Sequence, residues 1–330
     1  MHRRTLLAAT AGAAATMPFA ARAQARWQFA TPYPDSNFHT VNLRAFVKEI
    51  EDAVPGKLAI QVHSNGSLLK MPEIRRGVQT GQAQLGEILI SSYGNEDPFL
   101  EVDGLPMLVV TFDQAPVLAR LQRPYVEARL ARQGITLLYM VPWPQSGLYT
   151  NVQLNSLEQL RGTKLRTFNA MTQRFATLVG ATPTLVQVPE LAQAFATGVV
   201  NAMVTSAATG VDTQAWDFVK NFVPVGFTRT KNAVFVNTRA LQALPPDVQA
   251  AIRAAATRAE ERGWIAARKD EHDKQAVLAQ RGMTVTDPAP PALIAELVKV
   301  GDTLTQEWVG RAGEDGAKLI AEYKAAIGRS

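Results

Sequence analysis

The stretch "LEQLRGTKLRTFNAMTQRFATLVGATPTL", residues 157–185, contains the unit that decides the fold. A helical turn at its start runs into Gly162, a short strand follows over 164–167, and an amphipathic helix leads to a second strand after Pro183. This order of strand, helix and strand is typical of an α/β sheet. Arg166 is out of place in the pattern, because a charged side chain stands where the strand should be entering a core.

The same alternation runs through most of the chain. The first half reads as a strand over 27–30, a helix over 37–53, a strand in "PGKLAIQVH", a helix in "EIRRGVQTGQAQLGEI" and a strand in "LGEILISSYG". Further strands are predicted in "GITLLYMVPWPQSGLYTN", "TPTLVQV", "NAMVTSAA" and "NAVFVNTRAL". At 330 residues the chain is long enough for two domains, so the pattern predicts two α/β lobes with a cleft between them.

A long run of helix-forming residues follows the last of these strands. From 246 to 282 the sequence is rich in Ala, Arg, Glu and Lys and has no proline after Pro246. A helix of that length has to bridge both lobes, since ordinary globular helices have ~10–14 residues. We expect lobe I to comprise 26–147 plus about 232–268, and lobe II 148–231 plus about 269–330. A final helix should restart after "TDPAPP" and end at Ser330.

The N-terminus, "MHRRTLLAATAGAAATMPFAARAQA", has the features of an export signal. A basic start precedes an apolar stretch over 5–19, which is shorter than the ~20 residues that span a bilayer. Small residues at 21, 23 and 25 fit signal-peptidase cleavage near Ala23 or Ala25. We therefore predict a signal peptide over 1–25 and a periplasmic mature chain, exported by the Sec route or, because of the Arg3-Arg4 pair, by the twin-arginine route.

Composition and charge exclude several classes of protein. Hydrophobic residues make up 47% of the chain, enough for a large core, and the formal net charge is +5. Removal of the signal peptide leaves about +2, too weak for a nucleic-acid partner. The chain has no cysteine, which excludes disulfides, thiolate nucleophiles and cysteine metal sites. No other long apolar run indicates a membrane span.

Catalytic motifs are not recognisable in the sequence. His39, His63 and His272 have no metal-ligand spacing, and no GxSxG elbow or phosphate-binding loop is present. These observations predict neither a cofactor nor a metal site and disfavour an enzyme. An exported α/β enzyme that acts on a small organic acid stays as the alternative function.

Arg166 admits two interpretations. It could be a surface arginine on an edge strand, or it could face the cleft, because strand ends in such lobes point toward the cleft. A guanidinium there offers a planar fork suited to a carboxylate, and in a partly dry cleft such a pair contributes roughly 1.5–3 kcal/mol. The second interpretation makes the protein a carboxylate binder.

The segments "GTKLR", "GATPT" and "PELAQAFATGVVNA", together with "TPYPDSN", "IQVHSNGSL" and the long helix, resemble the solute-binding proteins of tripartite ATP-independent periplasmic (TRAP) transporters, the DctP family. The resemblance covers nearly the whole mature chain. It implies a two-lobed, type II-like periplasmic binding protein fold, and small and large membrane permease subunits as partners. It also implies that Arg166, the arginine of the "GxKxR" strand, binds the ligand's carboxylate.

Departures from the family pattern shape the predicted site. Many members have a second arginine where this chain has Tyr149 in "SGLYTN", and Thr205 or Ser206 of "NAMVTS" stands near the family's asparagine. Fewer cations and more aromatics favour one carboxylate on a less polar body, although each aromatic could instead pack in the core. The predicted ligand-binding residues are Arg166, Phe168, Asn169, Tyr149, Trp143, Thr205, Ser206, Tyr93, Ser92 and Asn37.

The predicted function is capture of an organic monocarboxylate, with a 2-oxo or aromatic acid as the best guess, and its delivery to a TRAP permease. A receptor that feeds a sensor kinase is a further alternative. A binding protein should change its tryptophan fluorescence when it binds ligand and release no product, whereas an enzyme should turn its substrate over.

Overall fold

The computed structural model describes residues 24–328, which fold into two β-sheets covered by helices. The predicted signal peptide, apart from its last two residues, and the predicted helix end at Ser330 lie outside the described residues. Within the described part, the α/β architecture with two lobes is confirmed.

The first sheet has the strand order β2-β1-β3-β10-β4. Its first three strands are parallel, as the alternation with helices predicted, and β10 runs antiparallel to both of its neighbours. Helices α1, α2 and α3 belong to this part of the chain. The bounds are β1 Ala25–Ala30, α1 Phe38–Ala53, β2 Leu58–His63, α2 Met71–Thr80, β3 Leu85–Leu89, α3 Ala115–Ala131, β4 Ile135–Pro142 and β10 Lys231–Asn237.

The second sheet has the order β11-β9-β5-β8-β6-β7. Strands β6, β7 and β8 are parallel, and β5 is antiparallel to β8 and β9. The bounds are β5 Ser146–Thr150, β6 Lys164–Thr167, α4 Ala170–Leu178, β7 Thr182–Leu185, α5 Leu191–Ala196, β8 Ala202–Ser206, α6 Ala207–Asp212, β9 Asn221–Val223 and β11 Thr284–Val285. The predicted unit at 157–185 therefore forms as strand, helix and strand.

Two segments of the chain cross between the sheets side by side. Residues 143–145 connect β4 to β5, and residues 224–230 connect β9 to β10. The backbone N–H of Trp143 donates to the carbonyl of Thr230 at 2.8 Å, and that of Ser146 donates to Thr228 at 3.0 Å. The chain thus passes from the first sheet to the second over 143–145 and back over 224–230, and the lobe boundaries expected near 147 and 232 stay a prediction.

The long helix forms as predicted. Helix α8, Pro246–Gln280, packs on α1 and β4 of the first lobe and on α6 and β11 of the second. Helix α7, Thr238–Gln242, precedes it, and α9, Pro291–Ala326, follows it and contacts α3 and α4. Gly313 interrupts α9 with φ +71°, a conformation that favours glycine. Helix α3 was not assigned from the sequence, and its interior Pro124 weakens the helical pattern.

Candidate functional site

A cavity lies between the two sheets where the crossing segments meet the ends of β6 and β8. The space between the protein atoms there amounts to about 410 Å³, which includes space open to solvent. Both lobes and a crossing segment contribute to its wall. The lining residues are Tyr33, Met71, Leu89, Trp143, Ser146, Arg166, Phe168, Gln187, Val188, Thr205, Ser206, Thr209 and Thr230.

Arg166 lies in the wall of this cavity and is 2% exposed. Strand β6 is central, paired with β7 on one side and β8 on the other, so a side chain near its end is surrounded by protein. The guanidinium Nε donates to the carbonyl of Val186 at 2.9 Å. Within residues 24–328, neither terminal NH₂ group has a hydrogen-bond partner and no carboxylate forms an ion pair with it. Arg166 therefore has two NH₂ groups and a positive charge available for an anion.

Burial changes the acidity of this arginine. Loss of solvent lowers the pKa of Arg166 to about 10, and the nearby phenol of Tyr33 acts weakly in the opposite direction. A guanidinium with this pKa is still charged at neutral pH. The interpretation of Arg166 as an exposed edge-strand residue is wrong, because β6 is not an edge strand and the side chain is buried.

Two of the predicted aromatics line the cavity. The Phe168 ring centroid lies 5.5 Å from Cζ of Arg166, within range for a cation–π contact. Trp143, in the first crossing segment, donates its indole N–H to Asn232 Oδ1 at 2.8 Å and packs edge-on against Tyr33, with 5.1 Å between ring centroids. The sequence predicted both positions, and the structure brings them together with Arg166.

Hydroxyl groups from the end of β8 form another part of the wall. Thr205 and Ser206 both line the cavity, as expected. Ser206 Oγ also accepts the backbone N–H of Thr209 at 3.2 Å and so caps helix α6. The strand end and the cap place three hydroxyls, those of Thr205, Ser206 and Thr209, around one side of the cavity.

Asn169 connects the lobes beside the cavity. Its Oδ1 caps α4 by accepting the N–H of Thr172 at 2.9 Å, while its Nδ2 donates to Ser91 Oγ of the other lobe at 3.0 Å. Both amide atoms are therefore occupied within the protein. The structure does not place Asn169 in the wall of the cavity.

Tyr149 requires a correction. We expected its ring at the ligand, in place of a second cation, but the side chain is fully buried away from the cavity wall. The ring packs against Phe222 at a centroid distance of 4.4 Å, and the hydroxyl donates to the carbonyl of Ser206 at 3.0 Å. A Cβ added at Gly210 would lie 2.2 Å from that hydroxyl, so the tyrosine fills space that a glycine leaves open. Tyr149 packs in the core of the second lobe.

Three other predicted residues also lie outside the cavity wall. The hydroxyl of Tyr93 donates to the carbonyl of Met71 at 2.7 Å. Ser92 Oγ is buried and has no hydrogen-bond partner among the described residues. Asn37 caps α1, and its Nδ2 donates to Asp212 of the other lobe at 2.6 Å. Of the three, Asn37 contacts the other lobe, and none lines the cavity.

Sequence reasoning missed several residues of the wall. Tyr33 lies in the loop "TPYPDSN", which was interpreted only as a turn after β1, and Thr230 lies at the end of the second crossing segment. Gln187 and Val188 follow β7, next to the carbonyl that holds Arg166. A signal was available for Tyr33, because loops after the carboxyl ends of parallel strands face the cleft.

A buried polar network supports Tyr33 and Trp143 from behind. Asn232 Oδ1 accepts from the indole of Trp143 and from the hydroxyl of Tyr33, the latter at 3.2 Å. Asn232 Nδ2 donates to Glu87 Oε1 at 3.0 Å, and Thr31 donates to the other oxygen of Glu87 at 2.6 Å. Burial raises the pKa of Glu87 to about 7. The amide of Asn232 thus connects a buried carboxyl to the two rings in the cavity wall.

Among residues 24–328 no group of three or more His, Asp or Glu side chains is arranged to hold a metal ion. In the same part of the chain, no helix combines the length and the apolar character needed to cross a membrane.

Comparison with known proteins identifies the relatives of this chain. Residues 29–309 match the model of the DctP family, described as bacterial extracellular solute-binding protein, family 7. Two extracytoplasmic solute receptors of Bordetella pertussis that bind pyroglutamic acid, DctP6 and DctP7, share 41% and 44% sequence identity with it. Their structures superpose with TM-scores of 0.89 and 0.88, and each comparison covers 91% of this chain and 99% of the other.

A third structure comes from a marine metagenome. This TRAP solute-binding protein, described as specific for pyroglutamate, is 33% identical, with a TM-score of 0.88 over 92% of this chain and 99% of its own. Members of the family are receptors of transporters and not enzymes, so the enzyme alternative is not supported. The chain belongs to the DctP family of TRAP transporter solute-binding proteins, as the family match and the similar two-lobed structures show.

Proposed function

We propose that this protein is a periplasmic receptor that binds pyroglutamate, a five-membered lactam with one carboxylate, and delivers it to a TRAP permease. The observation that carries the proposal is the buried guanidinium of Arg166 in an otherwise uncharged cavity wall. One unpaired cation matches one carboxylate. A second ligand carboxylate would be buried without a partner, at a cost of several kcal/mol.

The relatives support the choice of ligand. Three solved structures at 33% identity or more are described as binding pyroglutamic acid or pyroglutamate. The walls of the present cavity suit a small ring with polar groups, because Trp143 and Phe168 offer apolar faces while Thr205 and Ser206 offer hydroxyls. The sequence-based guess of a 2-oxo or aromatic acid is the competing proposal.

Calorimetry on the purified mature protein tests the ligand. The panel contains pyroglutamate, aliphatic and aryl 2-oxo acids, aromatic acids, C4-dicarboxylates and sugar acids. We expect pyroglutamate to bind most tightly and succinate to bind poorly. Tight binding of a dicarboxylate or a sugar acid, with pyroglutamate silent, would show that the ligand is misassigned.

Replacement of Arg166 tests the anchor. Arg166→Ala should weaken binding by about 30-fold to several thousand-fold, because the ligand's carboxylate becomes desolvated without a partner. Arg166→Lys should restore only part of the affinity, since an ammonium lacks the bidentate fork. Arg174→Ala is the matched control, because Arg174 lies in the same lobe but pairs with Glu307 at the surface. Wild-type affinity of the Arg166→Ala variant would place the anchor elsewhere.

Export and delivery complete the proposal. Strand β1 begins at Ala25, so cleavage after Ala23 leaves the strand whole. N-terminal sequencing of periplasmic protein should find Gln24 or Arg26 first, and a chain that still began at Met1 would contradict export by cleavage. Uptake of labelled pyroglutamate into vesicles that contain the small and large permease subunits should require this protein, which separates transport from a sensor-kinase receptor.

A further inference from the structure

We propose that the cavity selects ligands with a hydrogen-bond donor beside the carboxylate, because Asn232 holds the hydroxyl of Tyr33 as an acceptor toward the ligand. This inference rests on the proposed function and deepens it. The donor in pyroglutamate is the lactam N–H, on the atom next to the carbon that bears the carboxylate. Asn232 and Glu87 are positioning residues in this scheme, and Tyr33 is the residue that contacts the ligand.

The orientation of the Asn232 amide is fixed from two sides. The indole N–H of Trp143 lies 2.8 Å from one amide atom, and an indole can only donate, so that atom is the oxygen Oδ1. The other amide atom lies 3.0 Å from Glu87 Oε1, and an oxygen of a carboxyl group accepts from Nδ2 in this position. Both neighbours therefore require the same orientation.

The orientation of Asn232 determines that of Tyr33. The hydroxyl of Tyr33 lies 3.2 Å from Asn232 Oδ1, which carries no hydrogen, so the phenol has to donate its proton there. With its proton donated to Asn232, the Tyr33 oxygen can only accept further hydrogen bonds. Tyr33 lines the cavity, and its phenol is close enough to Arg166 for the positive charge to act on it.

An acceptor beside the anchoring guanidinium distinguishes between acids. In the proposed arrangement Arg166 holds the carboxylate, and the neighbouring ligand atom is placed at the Tyr33 oxygen, since both residues line the same cavity. An N–H or O–H at that atom pairs with the oxygen, whereas a 2-oxo group sets two acceptors against each other and leaves both unpaired. The inference therefore favours a lactam or a 2-hydroxy acid over the corresponding 2-oxo acid.

A pair of matched ligands tests the inference by calorimetry. Pyroglutamate is compared with 3-oxocyclopentane carboxylate, which keeps the ring, the carboxylate and the carbonyl but has CH₂ in place of N–H. The wild-type protein should bind the ketone about 10- to 100-fold more weakly, because the buried acceptor is left without a donor. Equal affinities for the two ligands would overturn the inference and leave the proposed function standing.

Protein variants locate the effect. Tyr33→Phe should bring the affinities for pyroglutamate and the ketone to within about 3-fold of each other, mainly by weakening the binding of pyroglutamate. Tyr139→Phe is the matched control, because Tyr139 is buried in the same lobe without lining the cavity, and it should keep the wild-type ratio. If Tyr33→Phe kept the wild-type ratio of affinities for pyroglutamate and the ketone, the inference would be overturned.

The remaining outcomes are also decisive. If pyroglutamate does not bind, the proposed function fails. The requirement for a donor is then tested with the acid of the panel that does bind, by comparing the affinities of its 2-hydroxy and 2-oxo forms. A 2-oxo form that binds as tightly as its 2-hydroxy form overturns the requirement. If Tyr33→Phe does not fold by circular dichroism, the wild-type ligand pair gives the answer.

Discussion

Two buried arginines in this protein have opposite surroundings. Arg229 and Arg166 are 3% and 2% exposed. Arg229 forms an ion pair with Glu271, with Nη2 3.0 Å from Oε1, whereas Arg166 has no carboxylate partner within residues 24–328. A buried guanidinium without an anion is costly for the fold. The contrast supports the proposal that a ligand supplies the anion at Arg166.

The ion pair between Arg229 and Glu271 lies where the two crossing segments meet helix α8. Arg229 lies in the second crossing segment, and Glu271 lies on helix α8 and also accepts the backbone N–H of Gln145 in the first crossing segment at 3.3 Å. The ion pair therefore fastens both crossings to the helix that packs on both lobes. One buried arginine is paired at the crossing segments, and the other is the proposed ligand anchor.

The largest expected effect comes from breaking the complete pair. Glu271→Gln leaves Arg229 buried without an anion and should lower the free energy of unfolding by about 3–5 kcal/mol, as measured by urea denaturation. The double variant with Arg229→Met and Glu271→Leu removes both charges and should recover most of that loss. A single variant within 1 kcal/mol of the wild type would show that the pair contributes little.

Glu87 offers a buried carboxyl to compare with the two arginines. Its pKa is raised to about 7 by burial, so the folded state binds a proton that the unfolded state releases near its ordinary value of 4.5. Its contribution to stability is therefore fully present below about pH 4.5 and is lost as the pH rises through about 7. The free energy of unfolding falls by about 3 kcal/mol over this range.

Thermal and urea unfolding from pH 4 to pH 8 test whether stability falls as the pH rises. Relative to the wild type, Glu87→Gln should lack this loss of stability with rising pH. The variant Glu322→Gln, at an exposed position on α9, should follow the wild-type profile. A Glu87→Gln profile parallel to that of the wild type would mean that the carboxyl is ionised throughout this range.

Removal of the unpaired charge should stabilise the ligand-free protein. Burial lowers the pKa of Arg166 to about 10, so the group stays charged at neutral pH but its charge is less favourable in the folded state than in the unfolded state. Arg166→Met keeps the length of the side chain and should raise the free energy of unfolding by about 1–3 kcal/mol while abolishing stabilisation by ligand. Arg174→Met, at the surface, should change stability by no more than about 0.5 kcal/mol. A less stable Arg166→Met variant would remove the contrast with Arg229.

The smallest expected effect concerns the contact between Asn37 and Asp212. This hydrogen bond joins the N-terminus of α1 in one lobe to the end of α6 in the other at 2.6 Å. Asp212→Ala should speed ligand dissociation about 5-fold in stopped-flow fluorescence, because the arrangement of the lobes in this structure loses one hydrogen bond between them. Asp35→Ala, in the same loop as Asn37 but paired with Arg44, is the control. An unchanged dissociation rate would show that the contact does not hold the lobes closed.

Local patterns determined a large part of this structure. Strand β6 occupies the four residues that the sequence indicated, and the long helix begins at the predicted Pro246. These features depend on hydrophobic periodicity and on helix-starting and helix-breaking residues, which act over a few neighbouring positions. Arg166 could be identified for the same reason, because a charge at a strand end contradicts the local pattern.

The tertiary structure decided which side chains meet in the cavity. Ser146 and Tyr149 lie on the same short strand, yet Ser146 lines the cavity and Tyr149 packs against Phe222. Their positions depend on the course of β5 between β8 and β9, and local periodicity carries no information about these partners.

The sequence by itself determined the family, most of the alternation of strands and helices, and the choice of Arg166 as the proposed anchor. The tertiary structure alone decided the surroundings of that arginine. Glu87 and Asn232 are 145 positions apart and meet because β3 pairs antiparallel with β10, which places Asn232 behind Tyr33. Hydrogen-bond direction in the cavity follows from these long-range neighbours, since each polar group orients to the partner that the packed fold provides.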